Sequence, residues 1–132
     1  MYACIYERQP YKNDDIPNVN KRLMMAKYMI SGSYTAEGKK GLIKDGGIKR
    51  KQIVENLINE QGGKVESFNF AFGIHDLYVV VEFPDNIDIA ALSLDVGAGG
   101  ALAFQTTVLI TPEQLDAAIE KGSNYRPGVT HS

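Results

Sequence analysis

Residues 62–85 read Gly-Gly-Lys-Val-Glu-Ser-Phe-Asn-Phe-Ala-Phe-Gly-Ile-His-Asp-Leu-Tyr-Val-Val-Val-Glu-Phe-Pro-Asp, and they specify the architecture more clearly than any other segment. The Gly62-Gly63 pair is a typical helix stop, because glycine readily adopts the left-handed conformation that ends a helix. An alternating strand over about 64–72 follows, with Phe68, Phe70 and Phe72 on one face. A four-residue turn at 73–76 then leads to a second apolar strand over about 76–83, which stops at Pro84. This order predicts a helix followed by a β-hairpin, which is half of a small α+β sandwich.

Upstream of this hairpin the sequence predicts a strand and then a helical stretch. Residues 26–34 alternate in polarity, and one face of this strand carries Tyr28, Ile30 and Tyr34. Thr35 is a plausible N-cap for a helical stretch that runs to about residue 61 and is interrupted by Gly46-Gly47. We therefore expect a short first helix or a kinked one. Spacings of three and four residues in its second part build an apolar stripe from Ile53, Val54, Leu57, Ile58 and Gln61.

Downstream of the hairpin the sequence predicts a helix, a strand and a last helix. The helix covers about residues 85–96, faces inward with Ile89, Leu92 and Val96, and is broken by glycines at 97, 99 and 100. A strand over about 102–110 follows. Residues 111–114, Thr-Pro-Glu-Gln, combine an N-cap, a proline at the first helical position and a capping-box glutamine. The helix that they begin carries Leu115, Ala118 and Ile119 and stops at Gly122.

The element order is β-α-β-β-α-β with an additional C-terminal helix, which is the ferredoxin-like α+β arrangement. Right-handed crossovers place both main helices on one face of a single antiparallel sheet. The other face then has no helix to cover it, although both faces of the hairpin are partly apolar. An uncovered apolar face of this size is usually an interaction surface, so we expect a homodimer or a larger homo-oligomer that packs sheet against sheet.

The composition of the chain indicates its number of domains and argues against some classes of binding partner. The 132 residues, 44% of them hydrophobic, suffice for one domain with one core. The net charge of −2 and the absence of a basic stripe argue against nucleic-acid binding. The single cysteine, Cys4, suits a reducing cytoplasm, and no apolar run is long enough to span a membrane. We divide the chain into an N-terminal extension or arm at 1–23, a domain at 24–122 and a flexible tail at 123–132.

Residues 25–121 also resemble the GYD-domain family of small bacterial and archaeal proteins. The shared landmarks run from Tyr34-Thr35 through Gly38, Gly41-Leu42, Arg50, Gly62-Gly63, Gly73-x-x-Asp76, Pro84-Asp85 and Thr106-Thr107 to Leu109-Ile110-Thr111-Pro112-Glu113. The resemblance implies a prokaryotic protein with a dimeric α/β ferredoxin-like fold and little established biochemistry. His75 departs from the pattern, because it stands where the family has the tyrosine of Gly-Tyr-Asp. The hairpin is similar to that of feast/famine regulator effector domains, where small ligands lie between subunits.

His75 and Asp76 are the most prominent polar residues of the turn. His75 is the one candidate for a catalytic base or ligand contact, with an ordinary exposed or interface histidine as the alternative. Neighbouring residues of a strand point to opposite faces, so His75 and Asp76 are poorly placed to form a dyad. Asp76 is expected to accept hydrogen bonds from nearby backbone N–H groups while Gly73 supplies a positive φ. The alternatives for Asp76 are an ionic partner such as Arg50 or a ligand contact.

Other candidate residues have both a functional and a structural interpretation. Arg50 could hold a carboxylate or phosphate, or lie on a solvated helix face, or form an intersubunit salt bridge. The tyrosines at 28, 34 and 78 could line a pocket, although aromatics at strand spacing are more often core or interface. The predicted ligand-binding set is therefore Tyr34, Arg50, Gly73, His75, Asp76 and Tyr78. No residues have the spacing of metal ligands, and 97–100 follows a helix instead of preceding one, unlike a dinucleotide-binding motif.

Three hypotheses for function follow. The favoured one is a non-enzymatic small-molecule-binding or assembly module without a cofactor, with any ligand near the 73–76 turn at a subunit boundary. The second is a cofactor-free dimeric α/β-barrel enzyme, such as a monooxygenase or isomerase, that uses His75 to move a proton. The third is an accessory subunit of a larger complex, attached through residues 1–23.

Overall fold

The computed structural model describes residues 25–128, and one four-stranded antiparallel sheet forms its centre. The strands are β1 (Ala26–Tyr34), β2 (Lys64–Phe70), β3 (Leu77–Phe83) and β4 (Leu102–Leu109), in the spatial order β2-β3-β1-β4. The helices are α1 (Ala36–Asp45), α2 (Gly47–Glu60), α3 (Asn86–Ala98) and α4 (Pro112–Lys121). This is the ferredoxin-like α+β fold that the sequence predicts. The predictions for residues 1–23 and for the end of the tail fall outside the described residues.

The core lies between one face of the sheet and the helices α2 and α3. The central strands β1 and β3 supply most of it, through alternate residues that all point to the helices. The buried core consists of Tyr28, Ile30, Ile58, Leu77, Val79, Val81, Phe83, Ile89 and Leu92. The apolar face predicted for β1 is therefore confirmed, with Tyr28 and Ile30 buried and Tyr34 half-buried at the end of the strand.

Short polar side chains and glycines define the helix boundaries. Thr35 caps α1 by accepting a hydrogen bond from the Gly38 N–H at 3.1 Å. Gly46, with φ of 83°, separates α1 from α2 and confirms the predicted interruption. The predicted stop after α2 is also confirmed, because Gly62 has φ of 85°. The helix α3 begins after the Asp85 cap and continues through Gly97 to Ala98, two residues beyond its predicted end.

The hairpin differs from the prediction near its turn. The strand β2 ends at Phe70, so Phe72 lies outside the sheet with its side chain fully exposed, while Phe68 and Phe70 pack edge to face at 5.3 Å. A register shift between Val65 and Ser67 also interrupts the pairing of β2 with β3. The positive φ predicted for Gly73 is wrong: the turn is long enough to reverse the chain without a left-handed residue there.

The face of the sheet opposite the helices is here called the open face. Its centre is half-buried and apolar, formed by Met29 on β1 and by Tyr78 and Val80 on β3. Polar residues surround this centre, including Lys27, whose Nζ atom lies 3.0 Å from a Glu66 carboxylate oxygen. The open face is therefore mixed in polarity, with an apolar middle and one further apolar residue, Leu109, at the end of β4.

The helix α4 has both predicted end signals. The Thr111 hydroxyl accepts from the Gln114 N–H at 3.0 Å, and the Gln114 side chain accepts from the Thr111 N–H at 2.8 Å. Gly122, with φ of 52°, ends the helix. All ten residues of α4 are exposed, as are residues 122–128, which form neither helix nor strand.

Candidate functional site

A cavity of about 170 Å³ lies between the sheet and the helices α2 and α3. We call it the inner cavity. Aliphatic and aromatic side chains line nearly all of it, and the two polar exceptions are Tyr34 and Arg50. The apolar lining includes Ile30, Val54, Leu57, Leu92, Val96 and Phe104. Such a space suits an apolar molecule and offers it very few polar contacts.

Arg50 reaches the inner cavity from the first turn of α2. Its Nη2 atom donates to Asp45 Oδ2 at 2.6 Å, and the two side chains are 27% and 19% exposed. Its Nε atom is buried and has no hydrogen-bond partner among the described residues. A buried donor without a partner is rare in folded proteins, because leaving it unpaired costs roughly 1–3 kcal/mol. Asp45 thus neutralises the charge of Arg50 while one directional N–H stays available.

Tyr34 also borders a more open space, which we call the outer cleft. The outer cleft has a volume of about 470 Å³ and lies between α1 and the end of β2. Its lining consists of Tyr34, Lys39, Leu42, Ile43, Gly47, Phe70, Ala71, Phe72 and Asp76. Tyr34 lines both spaces, so its side chain forms part of the wall of each.

Burial raises the pKa of the Tyr34 phenol, while the Arg50 guanidinium acts in the opposite direction and the Asp76 carboxylate adds to the rise. An unfolded tyrosine has a pKa of about 10. Above that pH the unfolded chain has released a proton that the folded chain still holds, so the free energy of unfolding falls as pH rises.

We expect Tyr34→Phe to reduce this pH dependence of the free energy of unfolding between pH 9 and 11, as measured by urea titrations. Tyr125→Phe is the surface control, and equal slopes for wild type and Tyr34→Phe would refute the assignment.

Asp76 has a structural role at the edge of the outer cleft. Its Oδ2 atom accepts a hydrogen bond from the Tyr34 backbone N–H at 3.0 Å. Its own backbone N–H donates to the Gly32 carbonyl at 2.7 Å, and its carbonyl accepts from the Ala71 N–H at 2.8 Å. The expected backbone acceptor role is therefore present, although the carboxylate bonds to β1 across the sheet. Arg50 forms its salt bridge with Asp45 instead of with Asp76.

His75 lies on the open face, away from Tyr34 and Arg50. Its Nδ1 atom is 3.4 Å from the Ser33 hydroxyl, and its ring meets Tyr78 edge to face at 5.7 Å. Asp76 instead contacts the Tyr34 N–H at the outer cleft, so the two neighbouring side chains point to different surroundings. Gly73 is exposed in the turn, with open space around it. The predicted set thus divides into Tyr34, Arg50 and Asp76 beside the helices, and His75 with Tyr78 on the open face.

Asp45 and the cavity wall on α3 and β4 are the parts of the site that sequence reasoning missed. One signal for Arg50 was present, because it precedes Ile53 and Val54 by three and four residues and so belongs to the apolar stripe of α2. A charged residue on such a stripe is expected to have a partner or to face a cavity. Asp45 carries no comparable signal, because its approach to Arg50 depends on the angle between α1 and α2.

Residues 25–128 contain no group of three or more His, Cys, Asp or Glu side chains placed to share a metal ion. None of the helices in this part of the chain is both long and apolar enough to cross a membrane.

Comparison with known proteins places this geometry in a family. The sequence model of the GYD domain matches residues 28–119, which extend from β1 into α4. This chain belongs to the GYD-domain family. The match includes every residue of the inner cavity and the outer cleft, so both are features of the GYD domain of this protein.

A solved structure shares the fold of this GYD domain. The crystal structure of MtbAldR superposes with a TM-score of 0.52 and 21% sequence identity, over 79% of this chain and 62% of that chain. The match therefore spans less than two thirds of MtbAldR, and at this identity it shows similarity of fold alone. No curated protein sequence matches the chain significantly.

Proposed function

We propose that this GYD-domain protein binds a small apolar molecule with one hydrogen-bond acceptor in the inner cavity, without catalysing a reaction. The observation that carries the proposal is the Nε atom of Arg50, which is buried without a partner beside an otherwise apolar space. A ligand oxygen bonded to this N–H would remove the cost of an unpaired buried donor.

The salt bridge with Asp45 favours a neutral ligand. Asp45 forms salt bridges with Arg50 at 2.6 Å and with the exposed Lys49 at 3.7 Å, so a carboxylate in the cavity would lose its hydration and also compete with Asp45 for Arg50. A carbonyl group needs only the free N–H and brings no charge into the apolar surroundings. The expected class is therefore a small apolar ketone, aldehyde, ester or amide.

The size of the cavity limits the size of the ligand. A protein cavity of about 150 Å³ lined by aliphatic and aromatic residues takes up benzene. The inner cavity, at about 170 Å³, is slightly larger and similarly lined. A ligand with one aromatic ring or a short chain, together with one carbonyl group, matches this volume.

The ligand position proposed here differs from the one that the sequence predicts. The 73–76 turn was expected to border the ligand at a subunit boundary, whereas residues from elsewhere in the chain line the inner cavity and Asp76 borders the outer cleft. His75 lines neither of these two spaces, so the enzyme hypothesis gains no support from them. The homodimer through the open face, the accessory-subunit hypothesis and a cytoplasmic location stay predictions.

The proposal is tested by titrating the protein with acetophenone and with benzene and following backbone amide shifts by NMR. Wild type should bind both, with acetophenone tighter by about 10-fold, which corresponds to one net hydrogen bond. Arg50→Met should abolish this preference and retain benzene binding. Lys51→Met, the same loss of charge at an exposed position of α2, should keep the preference.

A cavity-filling variant gives the second arm of this test. Val54 lines the inner cavity, so Val54→Phe should occupy its volume and weaken binding of both molecules by at least about 10-fold. Unchanged binding in Val54→Phe would place the ligand elsewhere. Equal affinity of wild type for acetophenone and benzene would remove the proposed role of Arg50.

A further inference from the structure

The helix α4 has an apolar stripe and no partner in its own chain among the described residues. Leu115 and Ile119 are one helical turn apart and are 51% and 69% exposed. An isolated helix of ten residues is only marginally stable in water, even with good capping. A helix with two well-formed ends and an exposed apolar stripe therefore requires a surface to pack against.

The outer cleft is a second apolar surface without a cover. Ile43, on its α1 side, is 83% exposed, and Phe72, on its hairpin side, is fully exposed. Two isolated surface residues would need no explanation, but these two border the same cleft with Phe70 and Leu42 between them. The cleft is thus a groove with apolar walls.

The charges of α4 and the outer cleft are complementary. Glu113, Asp116 and Glu120 outnumber Lys121 on α4 and make this helix acidic. The cleft is lined by Lys39 and by Asp76, whose carboxylate already accepts the Tyr34 N–H, and Lys44 lies on the same helix as Lys39. Neither Lys39 nor Lys44 forms a salt bridge within residues 25–128. The two lysines without a salt bridge therefore favour the approach of an acidic helix to this side of the molecule.

The helix cannot reach the cleft of its own chain. The cleft includes Phe70 of β2, while α4 follows β4, and β2 and β4 are the two opposite edges of the sheet. The helix and the cleft also lie at opposite ends of the strands. Leu109 at the end of β4 pairs with Lys27 at the start of β1, whereas the cleft lies at Tyr34, the end of β1. Seven strand residues separate these two positions by roughly 23 Å. The strand spacings between β4 and β2 add roughly 14 Å across the sheet. The two connecting residues and the roughly 15 Å of α4 together fall short of this combined distance, so a helix in the cleft belongs to another molecule.

We propose that α4 of one copy docks into the outer cleft of a second copy of this chain. Leu115 and Ile119 contact Ile43 and Phe72, and the acidic residues of the helix lie beside Lys39 and Lys44. Two copies that exchange helices in both directions form a closed dimer, and exchange in one direction forms a ring. This contact differs from a pairing of open faces and does not depend on any ligand.

The test uses two variants of the full-length chain, measured by sedimentation velocity at tens of micromolar. A helix variant carries Leu115→Glu and Ile119→Glu, and a cleft variant carries Ile43→Glu and Phe72→Glu. All four side chains are exposed, so both variants should fold as the wild type does. Each variant alone should associate about 100-fold more weakly than wild type, because the apolar contact is lost. A 1:1 mixture should associate more strongly than either variant alone, since one intact helix can still dock into one intact cleft.

Leu94→Glu with Ile87→Glu is the matched control, because both residues are exposed on α3 outside the two surfaces. It should associate as wild type does. The proposal is overturned if wild type is monomeric, if the mixture stays dissociated, or if only the helix variant dissociates. In the last case α4 would pack on a surface other than the cleft. Association that persists in both variants would place the interface on another surface, such as the open face, and also overturn the proposal.

Discussion

Gly38→Ala should lower the free energy of unfolding by about 3 kcal/mol, whereas Gly41→Ala on the same helix should raise it by about 0.5–1 kcal/mol. Both changes add one methyl group to α1 and gain the same helix propensity. They differ in their surroundings: a Cβ atom at Gly38 would lie 2.1 Å from the Ala101 carbonyl oxygen, while one at Gly41 would lie 3.8 Å from the nearest atom. Urea unfolding of the two variants beside wild type measures the difference directly.

The clash at Gly38 is severe because the opposing atom cannot move freely. The Ala101 carbonyl accepts a hydrogen bond from the Thr35 N–H at 3.0 Å, and the Thr35 hydroxyl donates to the Gly100 carbonyl at 3.0 Å. Moving the loop therefore breaks the contacts that join it to the start of α1. Ala101 also lines the inner cavity, so Gly38→Ala should weaken acetophenone binding as well. A Gly38→Ala protein as stable as Gly41→Ala would show that the loop yields at little cost.

Gly63→Ala should cost about 2–3 kcal/mol in wild type and less than about 1 kcal/mol when Phe83 is replaced by leucine. A Cβ atom at Gly63 would lie 2.5 Å from the Phe83 ring, which is fully buried and cannot swing into solvent. Phe83→Leu is destabilising by itself but opens the space that the new methyl group needs. The double-mutant cycle, measured by urea unfolding, should therefore give a coupling of at least about 1.5 kcal/mol.

Gly62 gives the control for this cycle. Gly62→Ala places a side chain at φ of 85° with open space around it, so its cost comes from backbone strain alone. That cost, about 1 kcal/mol, should be the same in the wild-type and Phe83→Leu backgrounds. Coupling of Phe83 to Gly62 as strong as to Gly63 would contradict the steric explanation.

Features that depend on neighbours in the chain were predictable from the sequence. The strand β1 occupies its predicted range, because alternation over nine residues determines which side chains one face buries. The caps of α1 and α4 were also predictable, since Thr35 and Thr111 bond to N–H groups three residues away. Local patterns of this kind occur throughout residues 28–119, the range that the GYD model matches. They made the number and order of the strands and helices predictable, and they also carry the resemblance to the GYD family.

The end of β2 and the conformation of Gly73 were predicted less well, because pairing partners decide where a strand stops. Phe72 continues the apolar alternation of β2, yet β3 begins at Leu77 and pairs it with Phe70, so no partner remains for Phe72. The backbone of Asp76 makes two hydrogen bonds that shape the turn, to Gly32 and to Ala71. With the turn held in this way, Gly73 needs no left-handed conformation.

The sequence by itself determined the ferredoxin-like order of strands and helices, because hydrophobic period and capping act within a few residues. Only the tertiary structure decided what surrounds each polar side chain. It placed Asp45 against Arg50, directed Asp76 to the Tyr34 N–H and turned His75 toward Ser33 on the open face. It also left α4 without a partner in its own chain among residues 25–128. Each of these contacts joins residues on different strands, helices or turns. The distance between such residues depends on how the helices and strands pack together around the core, which no local pattern in the sequence specifies.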